Sequence, residues 1–185
     1  MTLTPFMWLV YALWALLVVY LTVSAIGVKE NTETHLGQSL GLTIAIIAAF
    51  MLPRLPMFAF VNFAPVNTVL STFGVLLCVG GMLILVWARQ HLGRNWSQTV
   101  ANKVGHELVT SGPYRHLRHP MYAGGLIACF GSAIVCGGAF VFLLIILGIL
   151  FLWRVGAEDA LMARQFPNQY PDYKRRTRAL FPFLW

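Results

Sequence analysis

The sequence predicts an all-α integral membrane protein of about five transmembrane helices, and three observations carry that prediction. The chain of 185 residues is 58% hydrophobic and only 10% charged, where a soluble domain has about 25% charged residues. Its apolar residues fall in long unbroken runs, and a run of about 20 such residues is the length at which a helix crosses a bilayer with its backbone polar groups satisfied. The charges collect between the runs, not within them.

The first run, residues 5–26, is long enough to cross a hydrocarbon core of roughly 30 Å. Trp8 and Tyr11 lie near its start and Tyr20 near its end, where aromatic belts belong. It lacks a basic start and a small-residue cleavage site, so it reads as a span and not as a signal peptide. A polar loop over 27–39 carries Lys29, Glu30, Glu33 and His35. The second run, 40–52, is short and is ended by Pro53 and Pro56. The aromatic-rich segment from there to Asn67 suits an interfacial connection.

The third span covers 68–87 and opens onto the longest polar stretch, 88–120. The fourth covers 121–135, and Cys136-Gly137-Gly138 breaks the chain into a tight hairpin. The fifth starts near residue 139, is apolar to Trp153, and continues as helix out of the membrane to about Gln165. The tail holds prolines, tyrosines, the basic cluster Lys174, Arg175, Arg176 and Arg178, and a terminal FPFLW that suits an interfacial anchor. This is one membrane domain, with three spans in 1–87 and the polar segments, hairpin and tail in 88–185.

Five spans place the 27–39 loop, the 88–120 stretch and the C-terminus on one side. Twelve of the thirteen Lys and Arg fall there, and only Arg54 falls opposite. The positive-inside rule then puts the N-terminus outside and the C-terminus in the cytoplasm, across the inner membrane if the chain is bacterial. The formal net charge of +7 is therefore mainly a topology signal with some attraction to membrane lipids; no nucleic-acid partner is expected. Cys78, Cys129 and Cys136 lie in apolar runs without metal-ligand spacing and read as small core residues. Gly124, Ala128, Ser132 and Cys136 recur every four residues. Such a stripe lets a second helix approach closely, and it is expected to pack inside the last hairpin, a dimer seam being its other use.

Absences narrow the chemistry. The sequence has no phosphate-binding glycine loop, no serine in a nucleophile elbow, and no carboxylates in mid-span as carriers have. The polar candidates gather on the 88–120 stretch and at the exit of the fifth span, which favours an enzyme at the membrane–cytosol interface. In HELVTSGPYRHLRHPMY, residues 106–122, Ser111-Gly112-Pro113 is a turn signal. Pro120 suits the first turn of the fourth span, with His119 at or beside its N-cap. A helix start of that kind suits an anionic group. His106, Tyr114, His119 and Tyr122 could line a pocket there, and on residue types alone they equally suit anchoring to headgroups. His106, His116 and His119 match no usual ligand spacing and Glu107 is the only carboxylate near them, so no metal is expected. At the exit of the fifth span Arg154 and Glu158 stand at i and i+4 on one helix face. They make either an internal ion pair or a pair that holds two ligands.

These two stretches carry a resemblance. HELVTSGPYRHLRHPMYAGG, then RVGAEDALMARQFPNQYPDY, fills the pattern H-x-L-V-x-x-G-x-Y-x-x-x-R-H-P-x-Y-x-G, then R-x-x-x-E-[ED] and F-x-x-x-Y-x-x-Y, with Met162 where the family pattern has a leucine. That pattern resembles the isoprenylcysteine carboxyl methyltransferase family over about residues 93–185, while the first three spans match only in hydrophobic character. The resemblance implies an S-adenosyl-L-methionine-dependent methyltransferase built of membrane helices. It implies that the cofactor is held by His106, Glu107, Leu108 and Val109, by Tyr114, by His119, Pro120, Met121 and Tyr122, and by Glu158. It makes Arg154 and Glu158 the catalytic pair, with Arg154 facing the acceptor carboxylate. Gln98 is the nearest candidate for the family's upstream cofactor-binding glutamine. The expected partner is a lipidic or prenylated acceptor entering from the membrane. A carboxylate acceptor is already ionised at neutral pH and needs no general base. A phospholipid amine would first have to lose a proton.

Overall fold

The computed structural model describes residues 4–25, 67–93 and 108–181. Five α-helices lie within them: α1 (Pro5–Ala25), α2 (Thr68–Leu92), α3 (Pro120–Cys136), α4 (Gly138–Gln165) and the short α5 (Tyr170–Arg176). A 3₁₀ turn, Gly112–Arg115, precedes α3. Three of the helices are long and apolar enough to cross a bilayer, namely α1, α2 and α4. The 17 residues of α3 reach about 26 Å at 1.5 Å per residue. The expected second span, 40–52, lies outside the described residues.

The chemistry of the surface matches a lipid solvent. Leu16, Val23, Leu76, Leu83 and Ile149 are each at least 60% exposed, and a soluble protein rarely gathers so much apolar surface. The helices form an integral membrane protein.

The core of the bundle is a close seam between α2 and α3, which run antiparallel. Gly74 and Gly81 of α2 face Gly131 and Gly124 of α3, so the two backbones touch. A Cβ on Gly81 would stand 2.5 Å from the Gly124 carbonyl oxygen, and one on Gly124 would stand 2.6 Å from that of Gly81. The small-residue stripe of α3 is therefore used against α2, which corrects the expectation that it packs against the last helix. The reason is steric: α2 brings its own glycines to the seam at matching spacing, whereas the α4 stretch opposite is rich in bulky Phe, Leu and Ile.

The first helix joins this pair through one buried node. Trp14 Nε1 donates to Ser132 Oγ at 2.9 Å, and that hydroxyl lies 2.8 Å from the Ala128 carbonyl and 3.4 Å from Cys78 Sγ. Lower down, the Arg89 guanidinium, 5% exposed, donates to the Ser24 carbonyl at the end of α1 and to Gly93 O at 2.9 Å. Since Trp14 pairs with the level of Cys78 and Ser24 with that of Arg89, α1 and α2 run parallel. Arg89 also extends α2 to Leu92, past the expected end at residue 87, because its side chain satisfies backbone acceptors there. Gly137, at φ 76°, makes the sharp reversal between α3 and α4.

Of the expected interfacial anchor FPFLW, residues 182–185 lie outside the described residues, and the tail before it packs onto the bundle. It folds back as α5, burying Tyr170 and Tyr173. Arg118 N–H donates to Arg178 O at 2.8 Å and Arg178 N–H to His116 O at 3.1 Å, a short parallel bridge that lays the tail beside the approach to α3.

Candidate active site

The site forms where the start of α3 meets the last third of α4. Its approach is fixed from α2. Gly112 takes φ 57° against the His91 ring, where a Cβ would lie 2.8 Å from the imidazole Cγ. Only glycine fits that conformation and that space. The 3₁₀ turn so seated buries Pro113 and Tyr114, and the Tyr114 carbonyl accepts from the Tyr173 hydroxyl at 2.8 Å.

His119 is the N-cap of α3 and Pro120 its first residue. His119 N–H donates to Ala179 O at 3.0 Å, so the tail takes part in placing it. Its ring lies between two neighbouring carboxylates of α4: Nδ1 is 3.3 Å from Glu158 Oε2 and Nε2 is 3.0 Å from Asp159 Oδ1. Only the imidazolium donates at both nitrogens. Burial works against that charge, but the hydrogen bonds to Asp159 and Glu158 prevail and hold His119 above its ordinary value.

Tyr122 is stacked on His119, with ring centroids 5.6 Å apart, and on Phe151 of α4, at 4.4 Å. Its hydroxyl donates to Glu158 Oε1 at 2.5 Å. The same oxygen accepts from Arg154 Nε and Nη2 at 3.2 and 3.1 Å. The guanidinium lies 6.0 Å from the Tyr122 ring centroid. One carboxylate thus joins the acidic helix face to the first turn of α3.

Asp159 turns to the other side. Its carboxylate accepts from Arg118 Nε at 3.3 Å, His119 Nε2, Lys174 Nζ at 3.1 Å and the Tyr170 hydroxyl. Burial and the bond to Asp159 push the Tyr170 phenol up, so it remains a donor. Arg118 Nη1 reaches the Thr177 carbonyl at 2.7 Å and that of Lys174 at 3.2 Å.

Of the residues expected from sequence, His119, Tyr122, Arg154 and Glu158 come together in one hydrogen-bonded cluster. Pro120 is buried as a helix starter, and Met121 packs against the bundle core. Leu108 and Val109 are half-buried in the approach to the 3₁₀ turn. Tyr114 is buried at 6% exposure, one turn before the cluster. His106, Glu107 and Gln98 lie outside the described residues. Asp159, Arg118, Tyr170 and Tyr173 were not assigned a site role from the sequence. The tyrosine spacing at 170 and 173 was the available signal, but nothing in it names Asp159 or the Tyr114 carbonyl as partner.

The arrangement can hold a cationic ligand beside an anionic one. Despite four hydrogen-bonding contacts, the Glu158 side chain remains 22% exposed and Arg154 31% exposed. Both side chains are therefore partly open to solvent. Among the described residues no group of His, Cys, Asp and Glu is disposed to hold a metal ion.

The model of the isoprenylcysteine carboxyl methyltransferase (ICMT) family matches residues 74–164. The nickel-cobalt-cadmium resistance protein NccN of Alcaligenes xylosoxydans xylosoxydans is 33% identical over 107 residues, covering 56% of this chain and 49% of that protein. The human protein-S-isoprenylcysteine O-methyltransferase is 30% identical over 124 residues, covering 63% of this chain and 43% of that one. The chain spans about half the length of such relatives. In fold it is similar to the solved eukaryotic intramembrane Ras methyltransferase ICMT, with a TM-score of 0.70, 21% identity, and coverage of 98% of this chain and 69% of that one.

Proposed function

We propose, on the premise that residues 74–164 belong to the isoprenylcysteine carboxyl methyltransferase family, that this protein transfers a methyl group from S-adenosyl-L-methionine to the carboxylate of a lipidic or isoprenyl-thioether acceptor. The observation that carries the reading is the shared Glu158 carboxylate. It is bonded on one side to Tyr122 and His119 of the α3 start and on the other to Arg154, one helical turn away on its own helix.

The residues present suit the cofactor. Its charge at sulfur and at the amino group is positive, and Glu158 offers a partly exposed carboxylate. Leu108, Val109, Tyr114 and the first turn of α3 are the apolar and aromatic residues that the family resemblance assigns to the cofactor, together with His106 and Glu107. When bound, S-adenosyl-L-methionine supplies a methyl group activated by a positively charged sulfur. What remains falls to the chain. Arg154 orients an acceptor carboxylate, already ionised at neutral pH, so no side chain needs to remove a proton. The Tyr122 and Phe151 rings shield the reacting centre from water. In such a setting opposite charges that cancel on reaction are favoured over their separated, hydrated forms. Holding both reactants in line contributes the larger part of the rate.

The membrane supplies the acceptor. Trp153, 72% exposed, precedes Arg154 on α4 and marks the depth of the lipid–water boundary, so Arg154 stands where a lipid headgroup lies. The positive-inside balance puts this end in the cytoplasm, the N-terminus outside.

The test is direct. Purified protein in detergent or lipid is titrated with S-adenosyl-L-methionine, and labelled methyl transfer is then screened over isoprenyl-thioether carboxylates, fatty carboxylates and phospholipid amines. Failure to bind the methyl donor overturns the reading. Binding with transfer only to amines overturns the acceptor class.

A further inference from the structure

The proposed reaction uses Arg154 and Glu158, yet among the described residues the carboxylate at this end that joins the most partner residues is Asp159. It is 6% exposed and takes hydrogen bonds from two segments of the chain. Arg118 and His119 come from the approach to α3, while Tyr170 and Lys174 come from α5. Arg118 then closes the circuit by donating to the carbonyls of Lys174 and Thr177. The network sets one buried carboxylate against the cationic side chains of Arg118, His119 and Lys174, so its members depend on one another. A buried carboxylate left without its donors is costly.

The geometry points to Asp159 as a positioning residue for the site, an inference that rests on the function proposed above. It fastens the segment 170–178 against the approach to α3, and by holding Nε2 of His119 it aims Nδ1 of the same ring at Glu158. The imidazole is rigid, so the two bonds cannot be set independently. Where Asp159 holds one nitrogen, the other is delivered to Glu158 Oε2 at 3.3 Å. The stacked plane of Tyr122, 2° from that of His119, is fixed by the same ring. Asp159 therefore orients Glu158 and Tyr122 without touching either reactant. The tail becomes a working part of the site, although 170–178 lies beyond the matched family segment.

The experiment compares the full-length wild type with Asp159→Asn, Tyr170→Phe and the double variant, all in lipid nanodiscs. Tyr170→Phe removes one tail bond to Asp159 while leaving His119 and Glu158 intact. Three quantities are read: amide hydrogen exchange at 116–119 and 170–178, the dissociation constant for S-adenosyl-L-methionine, and kcat at saturating donor and acceptor. For Asp159→Asn, exchange in both segments should rise together. With both reactants saturating, kcat per folded molecule should fall about tenfold or more, since small misplacement of reacting groups costs up to about a hundredfold. The donor dissociation constant should change less than kcat. Tyr170→Phe should act in the same direction more weakly, and the double variant should fall short of the product of the two single effects.

Asp159→Asn with unchanged exchange and kcat overturns the proposal. So does a case in which activity falls only in proportion to unfolded protein while Tyr170→Phe behaves as wild type. A wild type that transfers no methyl group overturns the function proposed above, and the joint rise of exchange in the two segments then decides the positioning role alone.

Discussion

The Tyr122 hydroxyl donates to Glu158 Oε1, joining the first turn of α3 to the far third of α4 across 36 positions of sequence. The same oxygen accepts both arms of Arg154, so the phenol and the guanidinium converge on one acceptor. Tyr122→Phe keeps both ring stacks and removes the hydroxyl that bonds Glu158 and Arg154. A hydrogen bond to a charged group contributes about 1.5–3 kcal/mol when buried, and less here because Glu158 is partly exposed. The variant should remain folded, lose about 1 kcal/mol at most in thermal stability, and lose turnover severalfold or more. Differential scanning fluorimetry and labelled methyl transfer check the two separately.

Arg154→Gln should divide the two ligands. The acceptor KM should rise about tenfold or more, because charge-assisted pairing with a carboxylate is lost, while the dissociation constant of S-adenosyl-L-methionine stays within about threefold, a split read by standard kinetic decomposition. Equal loss of both, in calorimetry and in kinetics, contradicts the division of roles between Arg154 and Glu158.

Neighbouring glycines of α2 should answer differently to the same change. A Cβ at Gly81 would press on α3 backbone at 2.5 Å, whereas Gly80 has open space around it. Gly81→Ala should destabilise by about 1–3 kcal/mol, the usual cost of overpacking. Gly80→Ala should be neutral or slightly stabilising, since alanine is the better helix former. Melting curves of the two variants in one detergent give the comparison.

His119 makes stability depend on pH with a defined sign. Its folded value is raised above its ordinary one by Asp159 and Glu158 in spite of burial. The stabilisation is therefore fully present below the unfolded value of about 6.5 and is lost as pH rises through the raised folded value. The charged and titratable groups facing the ring are Glu158 and Asp159, with Arg118, Arg154, Lys174 and the phenols of Tyr122 and Tyr170 behind them. Melting temperature should fall as pH rises above neutrality, and His119→Gln should flatten that slope. A slope unchanged by the substitution contradicts the assignment.

Much of this was legible in the sequence because it depends on local pattern. Hydrophobic run length located the helices, Pro120 placed the start of α3, and i, i+4 spacing put Arg154 and Glu158 on one face. Gly112 and Gly137 were readable as turns from their neighbours. What was not legible depends on which distant surfaces meet. The stripe from Gly124 to Cys136 announced a close helix contact but not its partner, since Gly74 and Gly81 carry no label that names α3. Asp159 looked like one more charge on an emerging helix. Its importance comes from Arg118, Tyr170 and Lys174, which sequence spacing does not bring together. The docking of the tail was not legible either, because nothing local marks Tyr173 as a donor to the Tyr114 carbonyl.

The docking of the tail has a consequence for how the protein is made. Arg118 is fastened to the carbonyl of Thr177, 59 positions later in the chain, and His119 to that of Ala179. Helices α1 to α4 are complete before either acceptor has been synthesised. The end of the bundle that carries the candidate site is therefore assembled only when residues 177–179 have left the ribosome. On the function proposed above, a chain truncated after α4 should insert into the bilayer yet transfer no methyl group, because Arg118 and His119 lack the carbonyls of Thr177 and Ala179.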